Sequence, residues 1–173
     1  MLAHFRPQNA LALLVVPLLV LGCSDSTQDP QDPDDPQTDG EQLWSFVEGA
    51  DYQNNWDLWP GRGELYEGQE PHGMLLTTYL NDLARDALAG SPEDGMPDGS
   101  IIVKENYTPE GDLAAITTMH KVDGFNPDVG DWFWLRTDPD GMVEMEGLVD
   151  GCIGCHTGAA DFDYVWLWHQ DGR

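Results

Sequence analysis

The stretch SIIVKENYTPEGDLAAITTMHKV, residues 100–122, decides the fold class of this chain. Ser100 to Tyr107 and Leu113 to Val122 are rich in residues that favour strands. Pro109-Glu110-Gly111 lies between them and is typical of a tight turn. The stretch therefore predicts an antiparallel β-hairpin, with Lys104 on its first strand.

The segments on either side of the hairpin extend the same pattern. Further strands are predicted at Gly73–Leu80, Asp131–Arg136, Met142–Glu146 and Tyr164–Trp168. Short helices are predicted at Gln42–Glu48, which Gly49 ends, and at Asp82–Ala89, which Asn81 caps and Gly90 stops. The sequence therefore predicts an α+β fold that is mainly an antiparallel β-sheet with a few short helices.

The run Cys152-Ile153-Gly154-Cys155-His156, close to the C-terminus, is the attachment signature of a c-type haem. In that chemistry the two thiols bond to the haem vinyl groups, and the histidine becomes the proximal ligand of the iron. We therefore expect one covalently attached haem c, held by Cys152 and Cys155, with His156 on the iron.

Two other kinds of site use a Cys-x-x-Cys pair. A structural zinc site needs four ligands, but the chain has no second Cys pair, and its other histidines are scattered. A redox dithiol follows a strand in a βαβ unit, and no such pattern surrounds this motif. No methionine follows His156, which argues against a small helical electron carrier with a downstream methionine ligand. A β-type domain with a C-terminal haem site remains.

The N-terminus has the features of an export signal. A charged start precedes an apolar run, Ala10 to Leu21, that is too short to be a membrane-spanning helix. The run ends in Val20-Leu21-Gly22-Cys23, which is similar to the bacterial lipobox, where the cysteine after the cleavage site is lipidated. Residues 1–22 are thus predicted to be a lipoprotein-type signal peptide and Cys23 the lipidated residue, with plain secretory cleavage as the alternative. Haem attachment in bacteria also occurs outside the cytoplasm, so we expect a membrane-anchored protein that faces the periplasm or the exterior.

Composition separates the rest of the chain into a tether and one domain. Residues 23–42 are acidic and proline-rich, and they have too few apolar side chains to repay the entropy of ordering, which predicts a disordered tether. Residues 43–173 have the size of one domain. The whole chain has 32 Asp and Glu against 7 Lys and Arg, a net charge of -25. Such a surface repels nucleic acid and suits a basic redox partner or a small neutral or cationic substrate.

Motifs along this domain resemble the cytochrome P-460 family, which is related to the β form of cytochrome c′. They are Trp59-Pro60, Pro71-His72-Gly73, Asn81 before a short helix, Pro97 to Glu105, Met119 to Asp123, Gly130-Asp131-Trp132, Cys152 to His156 and Asp163-Tyr164-Val165. The resemblance implies a mono-haem protein on an antiparallel β scaffold, often a homodimer. It implies oxidation of hydroxylamine to nitrogen oxides and a covalent bond from a lysine to the macrocycle. The cytochrome c′-β relatives lack that bond and bind NO or CO.

The chain has two lysines that could form such a bond. Lys104 lies among apolar neighbours on its strand, with Ile102 and Asn106 on the same face. Lys121 lies at a strand end near Asp123. We therefore predict Lys104 as the linking and catalytic residue and keep Lys121 as the second choice. The alternative for Lys104 is a snorkelling or ion-paired residue.

Oxidation of hydroxylamine at a haem needs an open position on the iron and a base that accepts protons. Glu105 is the predicted base, and His120, Glu144 and Glu146 are the other candidates. Each of them is also explained as a solvated acid or a hydrogen-bonded strand histidine. Three methionines could ligate iron, namely Met119, Met142 and Met145. Methionine in a β core more often packs against its neighbours.

Three functions follow from the sequence. The first is an exported haem oxidoreductase that acts on hydroxylamine or a related small nitrogen species and passes electrons to a redox partner protein. The second is a five-coordinate haem protein that binds NO or CO. The third is a periplasmic electron carrier with a second protein ligand on the iron.

Overall fold

The computed structural model describes residues 38–91 and 94–171. The predicted signal peptide, Cys23 and the tether up to residue 37 lie outside these residues. In the part of the chain that the model describes, no helix combines the length and apolarity needed to cross a membrane.

Within the described residues, seven strands form one antiparallel sheet, which confirms the predicted fold class. They are β1 (Asp57–Leu58), β2 (Tyr66–Glu67), β3 (Leu75–Leu80), β4 (Ile101–Tyr107), β5 (Leu113–Lys121), β6 (Trp132–Thr137) and β7 (Val143–Gly147). The order across the sheet is β1-β3-β4-β5-β6-β7, and β2 also pairs with β3. The helices are α1 (Gly40–Gly49), α2 (Tyr52–Asn55), α3 (Asp82–Ala87), α4 (Asp150–His156) and α5 (Trp166–Asp171), with 3-10 turns at Pro127–Val129 and Thr157–Phe162.

The register of the central hairpin assigns its side chains to the two faces of the sheet. Ile102 lies opposite Met119 and Lys104 opposite Thr117, whereas Glu105 lies opposite Ile116. Directly opposed residues share a face. Lys104 and Glu105 therefore project from opposite faces, as the alternation of a strand requires.

Each face of the sheet carries its own apolar core. One core joins β3 to β6 with α3 and the C-terminal segment and includes Trp59, Trp132, Trp134 and Trp168. The other packs α1 and α2 against the opposite face. The sheet is thus the middle of three layers, and the haem-attachment motif lies in the layer that contains α4 and α5.

One predicted element is wrong. The final segment, Tyr164–Trp168, was expected to be a strand, but α5 begins at Trp166. Leu167 and Trp168 are adjacent and both buried, whereas a strand over a single core would bury only one of them. Helix α1 covers the helix predicted at Gln42–Glu48 and begins earlier, at Gly40, because Asp39 caps it by accepting a hydrogen bond from Gln42 N.

Candidate haem site

A cleft of about 260 Å³ lies between one face of the sheet and the C-terminal helices. A second cavity of about 400 Å³ adjoins it. A single water needs only about 10–15 Å³ measured in this way, so the space suits a large organic group. Both cavities are lined by Pro71, His72, Lys104, Cys155, His156, Trp166 and Leu167. The apolar wall of the first cavity includes Trp59, Ile102, Met119, Trp134, Val149 and Val165.

Helix α4 brings the attachment motif to this cleft. Cys152 and Cys155 lie three residues apart on the helix, which places both on one face, and both line the first cavity. Burial raises the pKa of the Cys152 thiol. No group of three or more His, Cys, Asp or Glu side chains that could hold a metal ion occurs within residues 38–91 and 94–171.

His156 ends α4 with a defined orientation and tautomer. Its side chain is 6% exposed, and Nδ1 lies 2.6 Å from the backbone oxygen of Tyr164. Because a carbonyl oxygen only accepts, Nδ1 carries the proton and the lone pair of Nε2 is free. Burial lowers the pKa of His156 to about 4 and keeps the imidazole neutral. This is the state that a metal-binding histidine requires.

A buried ion pair anchors the segment that orients His156. Lys121 Nζ lies 2.7 and 2.8 Å from the two carboxylate oxygens of Asp163, and Met96 N donates to the same carboxylate. Trp132 Nε1 donates to the backbone oxygen of Asp163, next to Tyr164. Lys121 is thus paired with Asp163 in a structural role, so Lys104 is the lysine that lies free in the cleft.

Lys104 lines both cavities, together with Cys155 and His156. Burial lowers the pKa of its ammonium group to about 8, against an ordinary value of 10.5. At pH 7 roughly a tenth of the amine is therefore uncharged. An uncharged amine is a nucleophile, which is the property that a bond to a macrocycle demands.

His72 is a cleft residue that the sequence reasoning missed as a site residue. It lines both cavities, and its ring centre lies 6.1 Å from that of His156, with the two ring planes at 85°. Burial lowers its pKa to about 3, helped by the charge of Lys104. The available signal was the motif Pro71-His72-Gly73 before a strand, which spacing alone does not connect to the distant His156.

The predicted base, Glu105, is not at the cleft. Its buried carboxylate accepts hydrogen bonds from Tyr52, Gln53 and Tyr107 on the opposite face of the sheet. This geometry is incompatible with a role for Glu105 in proton transfer beside a haem. Burial of the Tyr52 hydroxyl, together with the Glu105 carboxylate beside it, raises the pKa of Tyr52.

The other candidate bases and the candidate methionine ligands differ in where they lie relative to the cleft. His120 is 1% exposed on the Glu105 face, and burial lowers its pKa to about 4. Glu144 pairs with Arg136, and Glu146 accepts a hydrogen bond from Gly40 N. Of the methionines, Met119 and Met145 line the cleft and Met142 is exposed. The carboxylates that do line a cavity are Glu67 and Glu70, at the second cavity.

The residues of the cleft fit a haem. Two thiols on one helix face, an imidazole with a free Nε2 and a mostly apolar wall are the donors and surroundings that a c-type haem uses. Trp134 Nε1 is buried without a hydrogen-bond partner, and its ring lies 4.6 Å from that of His156. An unpartnered buried donor is typical of a wall that contacts a bound group.

Comparison with known proteins agrees with this site. The family model described as Cytochrome P-460 matches residues 51–167, which is more than half of the chain. No curated protein matches the chain. The match extends over all seven strands and the attachment helix. The family implies a haem cofactor, and oxidation of hydroxylamine is one of its known activities. On this evidence the chain belongs to the cytochrome P-460 family.

Proposed function

We propose that this chain is an exported mono-haem c cytochrome that oxidises hydroxylamine or a related small nitrogen species. Cys152 and Cys155 hold the haem. Each S–H adds across a vinyl C=C bond, so no oxidant is consumed and no free thiol remains. His156 binds the iron through Nε2, because its Nδ1–H is committed to the Tyr164 carbonyl.

The position of Lys104 carries the oxidase assignment. It is one of two lysines in the chain, and it lines both cavities beside the attachment motif. The other, Lys121, is bound to Asp163. Lys104 is therefore positioned to bond to the edge of the macrocycle, as the family resemblance implies.

The formation of that bond must conserve atoms and electrons. To form it, one N–H of the Lys104 amine and one ring C–H would be replaced by an N–C bond, with the release of two protons and two electrons. A peroxide accepts them and is reduced to water. The uncharged amine that starts this step is present because burial lowers the pKa of Lys104 to about 8.

When bound, the haem supplies a redox-active iron at which hydroxylamine loses electrons. Oxidation of hydroxylamine to nitric oxide releases three protons and three electrons. The electrons leave to a redox partner protein, and the net charge of -25 favours a basic one. Among the described residues, the carboxylates that could accept these protons are Glu67 and Glu70, which line the second cavity.

The cellular setting is part of the proposal. Cleavage before Cys23 and lipidation of that residue anchor the mature protein to a bacterial membrane, on the periplasmic or exterior side. The acidic tether then holds the haem domain away from the surface, where a redox partner and a small neutral substrate reach it. A homodimer is the expected assembly, because the resemblance implies one.

The test compares Lys104→Met with Arg85→Met, which removes an exposed cation that lines neither cavity, in the full-length holoprotein. After digestion of the wild type, the peptide that contains Lys104 should stay joined to the haem peptide. Lys104→Met should keep its haem but show an ordinary c-type spectrum and lose hydroxylamine oxidation. Arg85→Met should keep the joined peptides and the activity. Separate peptides in the wild type would overturn the oxidase assignment and favour the NO- or CO-binding function.

A further inference from the structure

Two histidines face each other across the cleft. His72 and His156 line both cavities, and their ring centres lie 6.1 Å apart. The ring planes are nearly perpendicular, at 85°, and do not stack. A flat group that fills both cavities would contact both imidazoles.

The hydrogen-bond network fixes the tautomer of His72. Asn106 Nδ2 donates to the backbone oxygens of Lys104 and Ala115, so Asn106 Oδ1 is the atom that faces His72 Nδ1 at 3.1 Å. Because an amide oxygen only accepts, His72 Nδ1 carries the proton. The lone pair of His72 Nε2 is therefore free. His156 has the same state, with Nδ1–H bound to a carbonyl.

The separation of the rings decides between two roles for His72. With metal–imidazole bonds of about 2.0 Å and about 1.2 Å from Nε2 to the ring centre, two histidines on one iron have ring centres about 6.4 Å apart. A distal base would need an iron-bound ligand atom and a hydrogen bond of about 2.8 Å in between, which gives about 9 Å. The observed distance is 6.1 Å. It matches direct ligation and is about 3 Å too short for a distal base.

The backbone around His72 is tied to the sheet. Met74 N donates to Tyr107 O, and His72 N donates to Gln69 O. A Cβ on Gly73 would lie 2.7 Å from Tyr107 O, so only glycine allows this close approach to the end of β4. Asn106, which is 1% exposed, then holds the ring itself. His72 is thus positioned by the strand that also carries Lys104.

We propose that His72 Nε2 is the second axial ligand of the haem iron, opposite His156. The resting iron is then six-coordinate, and a small nitrogen species or CO reaches it only after His72 dissociates. This inference requires the haem at Cys152 and Cys155. It requires neither the Lys104 bond nor hydroxylamine oxidation, so it applies whichever of the three functions the site has.

The test is the spin state of the iron in the full-length holoprotein, with His72→Ala as the variant. The ferric wild type should give a low-spin EPR signal of the strongly anisotropic type that perpendicular imidazole planes produce. His72→Ala should keep its covalently attached haem but become high-spin, and added imidazole should restore the low-spin signal. His169→Ala, which removes an exposed histidine outside the cleft, should match the wild type.

Binding of CO to the ferrous protein gives a second readout. If the sixth position is free in less than about a tenth of wild-type molecules, His72→Ala should bind CO about ten-fold faster or more. The rate should also level off with CO concentration in the wild type alone. A high-spin ferric wild type, or a low-spin signal that persists in His72→Ala without imidazole, would overturn the proposal. Repeating the EPR measurement in Lys104→Met separates this result from the outcome for the lysine bond.

Discussion

The Lys121–Asp163 ion pair is expected to be a large single contribution to the stability of the haem domain, and Asp163→Asn tests it. The two side chains are 15% and 9% exposed, and Nζ contacts both carboxylate oxygens at 2.7 and 2.8 Å. The same carboxylate accepts from Met96 N at 2.7 Å. Removing its charge leaves the largely buried Lys121 without this counter-charge, beside the Trp132 ring at 5.1 Å.

The magnitude follows from burial. Breaking one partner of a buried pair costs roughly 3–5 kcal/mol. Asparagine keeps an oxygen for Met96 N and tolerates the φ of +49° at this position, so Asp163→Asn should lose about 3 kcal/mol, at the low end of that range. Alanine tolerates a positive φ less well, so Asp163→Ala should lose about 1 kcal/mol more. These losses are a large part of a typical stability of about 5–15 kcal/mol.

Urea unfolding of the holoprotein, followed by circular dichroism, measures the loss. Asp57→Asn is the matched control, because it removes the same charge from an exposed pair with Arg85, in which the side chains are 55% and 37% exposed. Such an exposed pair contributes little to the free energy of unfolding. Equal losses in Asp57→Asn and Asp163→Asn would refute the argument from burial.

Four further outcomes are expected. Replacing both Cys152 and Cys155 with alanine should make the haem extractable with acidified acetone, whereas haem that leaves the wild type in the same way would contradict thioether attachment. The wild type should partition into detergent, whereas Cys23→Ser should appear in the soluble fraction or fail to be processed; a fully soluble wild type would exclude the lipid anchor. Glu105→Gln should lower the free energy of unfolding by about 1–3 kcal/mol, because it weakens buried charge-assisted hydrogen bonds, and it should leave the haem spectrum unchanged; an altered spectrum would show that Glu105 acts at the haem. Formation of the Lys104 bond, followed by mass spectrometry after adding peroxide to the unlinked holoprotein, should speed up as pH rises and level off above about 8, because burial lowers the lysine pKa and only the uncharged amine reacts; a rate that falls with rising pH would contradict this.

Local patterns predicted much of the sheet and the attachment motif. Strand alternation put Ile102, Lys104 and Asn106 on one face, and the register of β4 and β5 agrees. Asn81 caps α3 by accepting a hydrogen bond from Ala84 N, as its residue type and position indicated. These features depend on residues that are close in the chain. The same local logic failed for Tyr164–Trp168, where alternating aromatic residues resemble a strand but the burial of adjacent side chains favours a helix.

The sequence by itself determined the residues that can attach a haem and the lysine most suited to bond to it, because a fixed short spacing on a helix or a strand sets their chemistry. Only the tertiary structure decided which distant groups meet. His72 faces His156, Lys121 is held by Asp163, and Glu105 is enclosed by tyrosines away from the cleft. Each of these contacts joins different elements, so it depends on how the helices pack on the two faces of the sheet. Periodicity within one element carries no information about that packing.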